Sequence, residues 1–306
     1  MTGILWLEQA LNGLQFGLML FLIAAGLTLV FGIMDMINLA HGSLYMVGAY
    51  LTAAVAAATG SFAVALLAGA AGTALVGMAL EVTVLRRLYT RDHLSQVLGT
   101  FALLLIANES VRMIWGEQPV PLSAPAALAG PVELLPGLQY PAYRLLIIGV
   151  GLAVALALWW LVTRTRLGMQ VRAGAADREM ARAMGVNIRS LFTVVFGLGA
   201  ALAALAGGLL GPLLAVQVGM GENILILAFV VIVIGGIGSI RGALVAALLV
   251  GMVDTVGRTA VPLVMGDVLG PAAASVAGPA LASILIYLLM AVVLFVKPQG
   301  LFPAHG

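Results

Sequence analysis

The sequence predicts an all-α protein, a polytopic transmembrane helical bundle of eight or nine spans that forms a single transmembrane domain over residues 1–306. The first observation behind this prediction is composition. Hydrophobic residues make up 63% of the chain and charged residues 8%, whereas a soluble domain needs roughly 25% charged residues to cover its surface. The second is a series of apolar stretches close to the roughly 20 residues that a helix needs to cross a bilayer core.

The apolar stretches follow one another along most of the chain. They lie near Leu11–Ile33, Leu39–Ala57, Phe62–Leu85, Leu94–Ile114, Leu145–Val162, Leu191–Leu214, Ile224–Ile237, Ala243–Val256 and Ala280–Val296. The second, seventh and eighth stretches are short or rich in glycine. Such segments are typical of broken or re-entrant helices that face a cavity, so the span count depends on them.

The distribution of basic residues predicts the orientation. The first 85 residues contain neither Lys nor Arg. Nine crossings with the N-terminus outside place eleven of the fourteen basic residues on inner connections and leave Arg112, Arg144 and Arg258 elsewhere. Since basic residues accumulate on the cytoplasmic side of membrane proteins, we predict an outer N-terminus and a cytoplasmic C-terminus.

Two connections are long enough to have functions of their own. The external loop 116–143 contains six prolines, which forbid a regular helix and predict a loop with short helical pieces. The internal loop 164–190 is rich in charge, which suggests docking to a soluble partner. The six prolines are Pro119, Pro121, Pro125, Pro131, Pro136 and Pro141.

The internal loop carries the signals of one short helix over Arg178–Met184. Asp177 is a favourable N-cap, and Gly185 can adopt the left-handed conformation that ends a helix. Met180, Ala183 and Met184 share one face. A helix of this length is marginal alone in water, so it needs a partner surface, although a solvated loop lying on lipid headgroups is the alternative.

Polar residues and glycines inside apolar stretches are the candidates for the pathway. Asn38, His41 and Ser43 either line or gate a pathway, or cap and pack the helix that Leu39 begins. Gly236 and Gly238 indicate a broken helix near the pathway. The alternative for Gly238 is close packing together with Gly242, four residues later.

Two pairs of opposite charges are predicted to be structural ion pairs within spans. Glu109 and Arg112 are three residues apart, and Asp254 and Arg258 are four apart, so each pair can meet on one helical face. A substrate site is the alternative for both pairs.

The composition also excludes several classes of function. The chain has one lysine, beside Pro298, and therefore no phosphate-binding loop of the type that ends in Lys. Cysteine is absent, the histidines are not at metal-ligand spacing, and no activated nucleophile is evident. We therefore expect no enzyme, no cofactor, no metal and no nucleic-acid partner. A secondary transporter of small organic solutes remains an alternative, but its ion-binding carboxylates should lie near the midplane.

Four motifs in order along the chain resemble LivH-type permeases of branched-chain amino acid ABC importers. The internal loop has Arg172-Ala173-Gly174-Ala175-Ala176-Asp177, then Met180-Ala181 and Gly185-Val186-Asn187. The other three are Met36–Tyr50, Gly235–Ala243 and Lys297–Phe302. At position 241 this chain has Arg where relatives often have Pro.

The resemblance implies a permease subunit that forms the pathway for branched-chain or related small amino acids in a bacterial inner membrane, with a periplasmic N-terminus. It implies a second related permease, two ATPase subunits that bind ATP and Mg²⁺, and a periplasmic binding protein as partners. Members of the family also carry urea, amides or aromatic acids, so the ligand stays open. The residues that would dock on the ATPase are Ala176, Asp177, Met180, Ala183, Met184 and Gly185.

Overall fold

The computed structural model describes residues 2–302, without the side chains of 2, 268, 269, 271–273 and 276. Helices dominate it, in the order α1 (Thr2–Met34), α2 (His41–Thr59), α3 (Phe62–Leu80), a π-helical segment (Glu81–Leu85), α4 (Arg86–Leu88), α5 (His93–Trp115), α6 (Ala142–Arg164), α7 (Arg166–Ala176), α8 (Arg178–Ala183), α9 (Ile188–Leu214), α10 (Met220–Gly235), α11 (Ile240–Leu269) and α12 (Pro271–Val296). A 3₁₀ turn (Ala126–Leu128) and two strands, β1 (Pro131–Leu135) and β2 (Leu138–Pro141), precede α6.

Eight of these helices are long and apolar enough to cross a bilayer, with α3 and α4 counted as one span. The helix α10 is apolar but has only 16 residues, which is about 24 Å at the rise of an α-helix. The predicted polytopic bundle is confirmed. The short seventh stretch is the one helix of the nine that falls below spanning length within residues 2–302.

The helix α11 is twice as long as the sequence predicts. We expected the apolar stretch to end near Val256, with Asp254 and Arg258 paired near that end. Instead the helix continues to Leu269, since Arg258 reaches Asp254 at 2.8 Å and the two charges compensate each other on one face.

The helix α1 forms the centre of the bundle. Its residues from Leu18 to Val30 are buried almost without exception, and α1 packs against α6, α9, α10 and α11. Glycines allow these close approaches: a Cβ added to Gly17 would lie 2.8 Å from the carbonyl oxygen of Ala247 on α11. Without glycine at this crossing, the two backbones would have to separate.

The external loop contains a β-hairpin that the sequence analysis missed. The strands β1 and β2 pair antiparallel from Pro131 opposite Pro141 to Leu135 opposite Leu138, and Gly137 has the positive φ of 85° that the tight turn requires. Three of the six prolines, Pro131, Pro136 and Pro141, lie at the ends of the strands and in the turn, where their missing N–H groups cost no ladder hydrogen bond.

The internal loop is also more ordered than predicted. The helix α7, which the analysis missed, precedes α8, and the Thr165 hydroxyl caps it by accepting a hydrogen bond from the Gly168 N–H at 3.1 Å. We call the end of the bundle that carries α7 and α8 the loop end, and the end that carries β1 and β2 the hairpin end.

Candidate pathway and coupling sites

The helix α2 begins inside the bundle rather than at its surface. After α1 ends at Met34, residues 35–40 have no helical structure and run back between the helices. The Leu39 N–H donates to the hydroxyl of Thr100 at 3.2 Å, and Thr100 lies seven residues from the start of α5, or about 10 Å along the helix. Non-helical backbone at this depth is tolerated only where protein or a water-filled cavity satisfies it.

The helix α10 begins at the same level and runs in the opposite direction. Gly42 and Gly221 are the second residues of α2 and α10, and a Cβ added to Gly42 would lie 2.6 Å from the Gly221 carbonyl oxygen. The reverse contact, from Gly221 to the Gly42 carbonyl oxygen, is closer still. Two helices therefore start at one crossing, with α2 leading to the hairpin end and α10 to the loop end. Paired broken helices of this kind mark binding sites in transporters.

The structure brings Asn38, His41 and Ser43 together at this crossing, and all three are buried. The helix begins at His41 and not at Leu39, and its N-cap is Ala40, which makes no side-chain cap. The predicted capping role of Asn38 is therefore wrong in detail, because its Oδ1 accepts instead from the Ala40 N–H at 3.1 Å, ahead of the helix.

These three side chains keep unused hydrogen-bonding groups in the bundle interior. Asn38 Nδ2, both ring nitrogens of His41 and Ser43 Oγ have no hydrogen-bond partner within the described residues. The His41 Nε2 atom lies 3.1 Å from the position that a Cβ on Gly26 would take, so the imidazole packs directly on α1. Buried polar groups without partners are rare and costly, and they often lie where water or a solute passes.

Gly236 and Gly238 occupy the break between α10 and α11, with positive φ values of 101° and 81°. The predicted break is present, and its place near the pathway stays a prediction. The packing alternative is borne out in part: both Gly238 and Gly242 make close contacts, but Gly238 precedes the start of α11, so they are not a pair on one helix. Gly242 packs against Gly235, and Gly238 packs against Gly32 of α1.

The helix α8 has the predicted caps. Asp177 Oδ1 accepts from the N–H groups of Glu179 and Met180, both at 2.9 Å, and Gly185 has φ of 89°. The helix ends at Ala183, one residue earlier than predicted, with Met184 as its C-cap.

One face of α8 is apolar and uncovered in this chain. Ala181 is buried against the bundle. Met180 is 61% exposed and Met184 79% exposed, and Ala183 and Ala176 are exposed as well.

A buried carboxylate lies behind α8, and the sequence analysis missed it. Glu81, at the start of the π-helical segment, is fully buried and forms an ion pair with Arg86 at 3.0 Å. It also accepts hydrogen bonds from the hydroxyls of Thr193 at 2.6 Å and Tyr89 at 3.0 Å. Burial, together with the Glu81 charge, raises the pKa of the Tyr89 hydroxyl, which therefore remains a donor.

The Glu81 cluster is connected to α8 through aromatic rings. Tyr89 makes an edge contact with Phe192 of α9, at 5.3 Å between ring centroids, and the Arg178 guanidinium of α8 lies 6.0 Å from the Phe192 ring. The only signal in the sequence was an acid within an apolar stretch. Its pairing with Arg86 was hidden, because five-residue spacing brings two side chains together only where the helix widens into a π turn.

Both predicted ion pairs form. Arg112 reaches Glu109 at 2.7 Å on the exposed surface of α5, and Arg258 reaches Asp254 at 2.8 Å on α11. Each arginine therefore neutralises a carboxylate on its own helix.

Residues 9–294 match the family described as the permease component of branched-chain amino acid transport systems. The chain belongs to this family. Its permease fold agrees with that assignment, since it is a multi-pass membrane protein with eight apolar helices of spanning length among the described residues.

Relatives of the permease match along nearly its whole length. It is 30% identical over 97% of its residues to a high-affinity branched-chain amino acid transport permease, BraD, from Pseudomonas aeruginosa, and covers 95% of that protein. It is 29% identical to the corresponding LivH protein of Escherichia coli strain K12, with the same coverage.

A more distant likeness covers less of the chain. A fructose import permease, FrcC, from Rhizobium meliloti is 36% identical over 102 residues, or 31% of the permease and 28% of the relative. No solved structure matches the chain significantly.

Proposed function

We propose that the permease forms, together with a second related subunit, the pathway of an ATP-driven importer for branched-chain or related small amino acids. The support comes from relatives that carry this description and cover 97% of the chain. The fructose permease covers less than a third, so a sugar is the less supported ligand. We place Asn38, His41 and Ser43 at the gate of this pathway, with Gly236 and Gly238 at the break that follows α10.

The proposed complex contains two separate ATPase subunits, which bind ATP and Mg²⁺, and a periplasmic binding protein that delivers the amino acid. The permease would lie in a bacterial inner membrane, with its N-terminus and hairpin end in the periplasm and its loop end and C-terminus in the cytoplasm. The arginines of α7 and α8 favour this orientation.

The observation that carries the coupling proposal is the uncovered apolar face of α8. Six residues are too few for a helix that is stable by itself, and exposed methionines are costly in water but suit an adaptable groove. The contacts from Arg178 through Phe192 and Tyr89 to Glu81 offer a packed route by which movement of α8 would reach α3 and α9. Such a route requires a partner that binds and moves α8, and in the proposed complex this partner is the ATPase.

The Met180→Asp variant tests this proposal. An aspartate in an apolar groove would be desolvated without a partner, at a cost of several kcal/mol, so we expect the ATPase to be lost when the permease is purified. The Met180→Leu variant keeps an apolar side chain of similar volume and should retain the ATPase. Retention of the ATPase at wild-type levels by Met180→Asp, with normal uptake, would show that α8 is a solvated connector.

A further inference from the structure

The carboxylate of Glu222 lies on the surface of the bundle at the crossing of α2 and α10. It is in the first turn of α10, next to Gly221, and its side chain is exposed. Its Oε1 accepts a hydrogen bond from Asn108 Nδ2 of α5 at 2.8 Å. Since Asn108 lies seven residues before the end of α5 at Trp115, the pair is about 10 Å inside the hairpin end of that helix.

The charge of Glu222 is not compensated within the described part of the chain. Three other carboxylates in the spans have arginine partners: Glu81 has Arg86, Glu109 has Arg112, and Asp254 has Arg258. No basic side chain in residues 2–302 forms an ion pair with Glu222. The positive end of the α10 dipole favours the anionic form of a carboxylate in this position. The Glu222 carboxylate is therefore available to bind a cation from outside the chain.

The surroundings of Glu222 indicate water rather than lipid. Along α10 the exposed positions Glu222, Asn223 and Ile226 form a stripe, and Gln217 is exposed in the segment before the helix. That segment, residues 215–219, is not helical. Lipid cannot satisfy its backbone groups or solvate an unpaired carboxylate, so this face of α10 borders an aqueous space or another protein chain.

We propose that Glu222 and Asn108 bind the ammonium group of a zwitterionic amino acid in that space. An ammonium offers three N–H donors, and the Glu222 carboxylate supplies two acceptor oxygens. Because Asn108 donates through Nδ2, its Oδ1 is left to accept a third hydrogen bond. The inference rests on the proposed import of amino acids. It assigns Glu222 and Asn108 to the ammonium group that all zwitterionic amino acids share.

Uptake of radiolabelled L-leucine by the complete reconstituted complex tests the assignment. Glu222→Gln keeps the shape and removes the charge, so we expect KM to rise about tenfold or more, because a charge-assisted hydrogen bond to the ammonium is lost. Glu109→Gln is the matched control, since Glu109 is an exposed carboxylate already neutralised by Arg112, and its KM should stay near the wild-type value. An unchanged KM in Glu222→Gln would overturn the inference while leaving amino-acid import intact. If the wild-type complex imports no amino acid, the proposed function and the inference both fail.

A second measurement does not depend on how well Glu222→Gln assembles. The chain has no cysteine, so single cysteines can report water access through a charged methanethiosulfonate reagent. We expect the Ile226→Cys variant to react and leucine to slow the reaction, whereas Leu156→Cys, at an exposed position in the middle of α6, should stay unreactive. An unreactive Ile226→Cys would show that water does not reach the stripe in the complex and would overturn the assignment.

Discussion

At the residue scale, the buried polar side chains separate into two kinds. Glu81 is fully satisfied by an arginine and two hydroxyls, so it stabilises the junction between α3 and α9. His41 is equally buried, and neither ring nitrogen makes a hydrogen bond of good geometry in the part of the chain described, although the Ile23 backbone lies beside the ring. A satisfied cluster fixes one arrangement, whereas a buried imidazole beside the unpartnered Asn38 and Ser43 carries a cost that a purely structural role does not explain.

We therefore expect His41→Ala to lower uptake strongly while assembly with the ATPase and ATP binding remain. Thr73→Val is the matched control, because Thr73 is buried on α3 with an unpartnered hydroxyl, and an isosteric apolar replacement should be close to neutral. The measurement is leucine uptake per assembled complex. Normal uptake in His41→Ala would assign the imidazole to packing alone.

At the element scale, the crossing of α2 and α10 depends on the absence of two side chains. Gly42 and Gly221 place the backbones of the two helices in direct contact, and both helices start there. Asn38, His41 and Glu222 are all within a few residues of Gly42 or Gly221. The geometry of the crossing therefore sets where these three side chains lie.

The Gly221→Ala substitution should disturb this crossing, because the new Cβ would overlap the Gly42 carbonyl oxygen. Overpacking of this kind typically costs about 1–3 kcal/mol, which a lower midpoint of thermal unfolding of the purified permease would report. Gly149→Ala on α6 has nothing within 4 Å of the added atom and should be neutral or slightly stabilising. Equal midpoints for the two variants would mean that the helices can separate freely.

At the scale of the whole molecule, the orientation follows from the arginines. The loop end carries α7 and α8, whose basic side chains should remain in the cytoplasm, and the hairpin end should then face the periplasm. The two ends can be distinguished because each has a position outside the spans, the half-buried Arg178 on α8 and the exposed Glu133 on β1.

Single cysteines at these positions test the orientation in intact cells with a thiol reagent that does not cross the inner membrane. We expect Glu133→Cys to be labelled at once and Arg178→Cys only after the membrane is broken. Labelling in the reverse pattern would invert the proposed topology.

The sequence by itself determined the class of the fold, most of the helix positions and the caps of α8. These follow from local properties: the length of an apolar run, the Asp177 side chain two and three residues before the N–H groups that it caps, and the freedom of Gly185 to take positive φ.

Only the tertiary structure decided which of these elements meet. It placed Thr193 on Glu81, from 112 residues away, and Asn108 on Glu222, from 114 residues away. It also revealed that α2 starts at depth, because the start of that helix is fixed by contacts with Thr100 and Gly221 and not by a capping side chain of its own. Contacts between distant segments depend on how whole helices pack, and a single sequence carries no local signal for that packing.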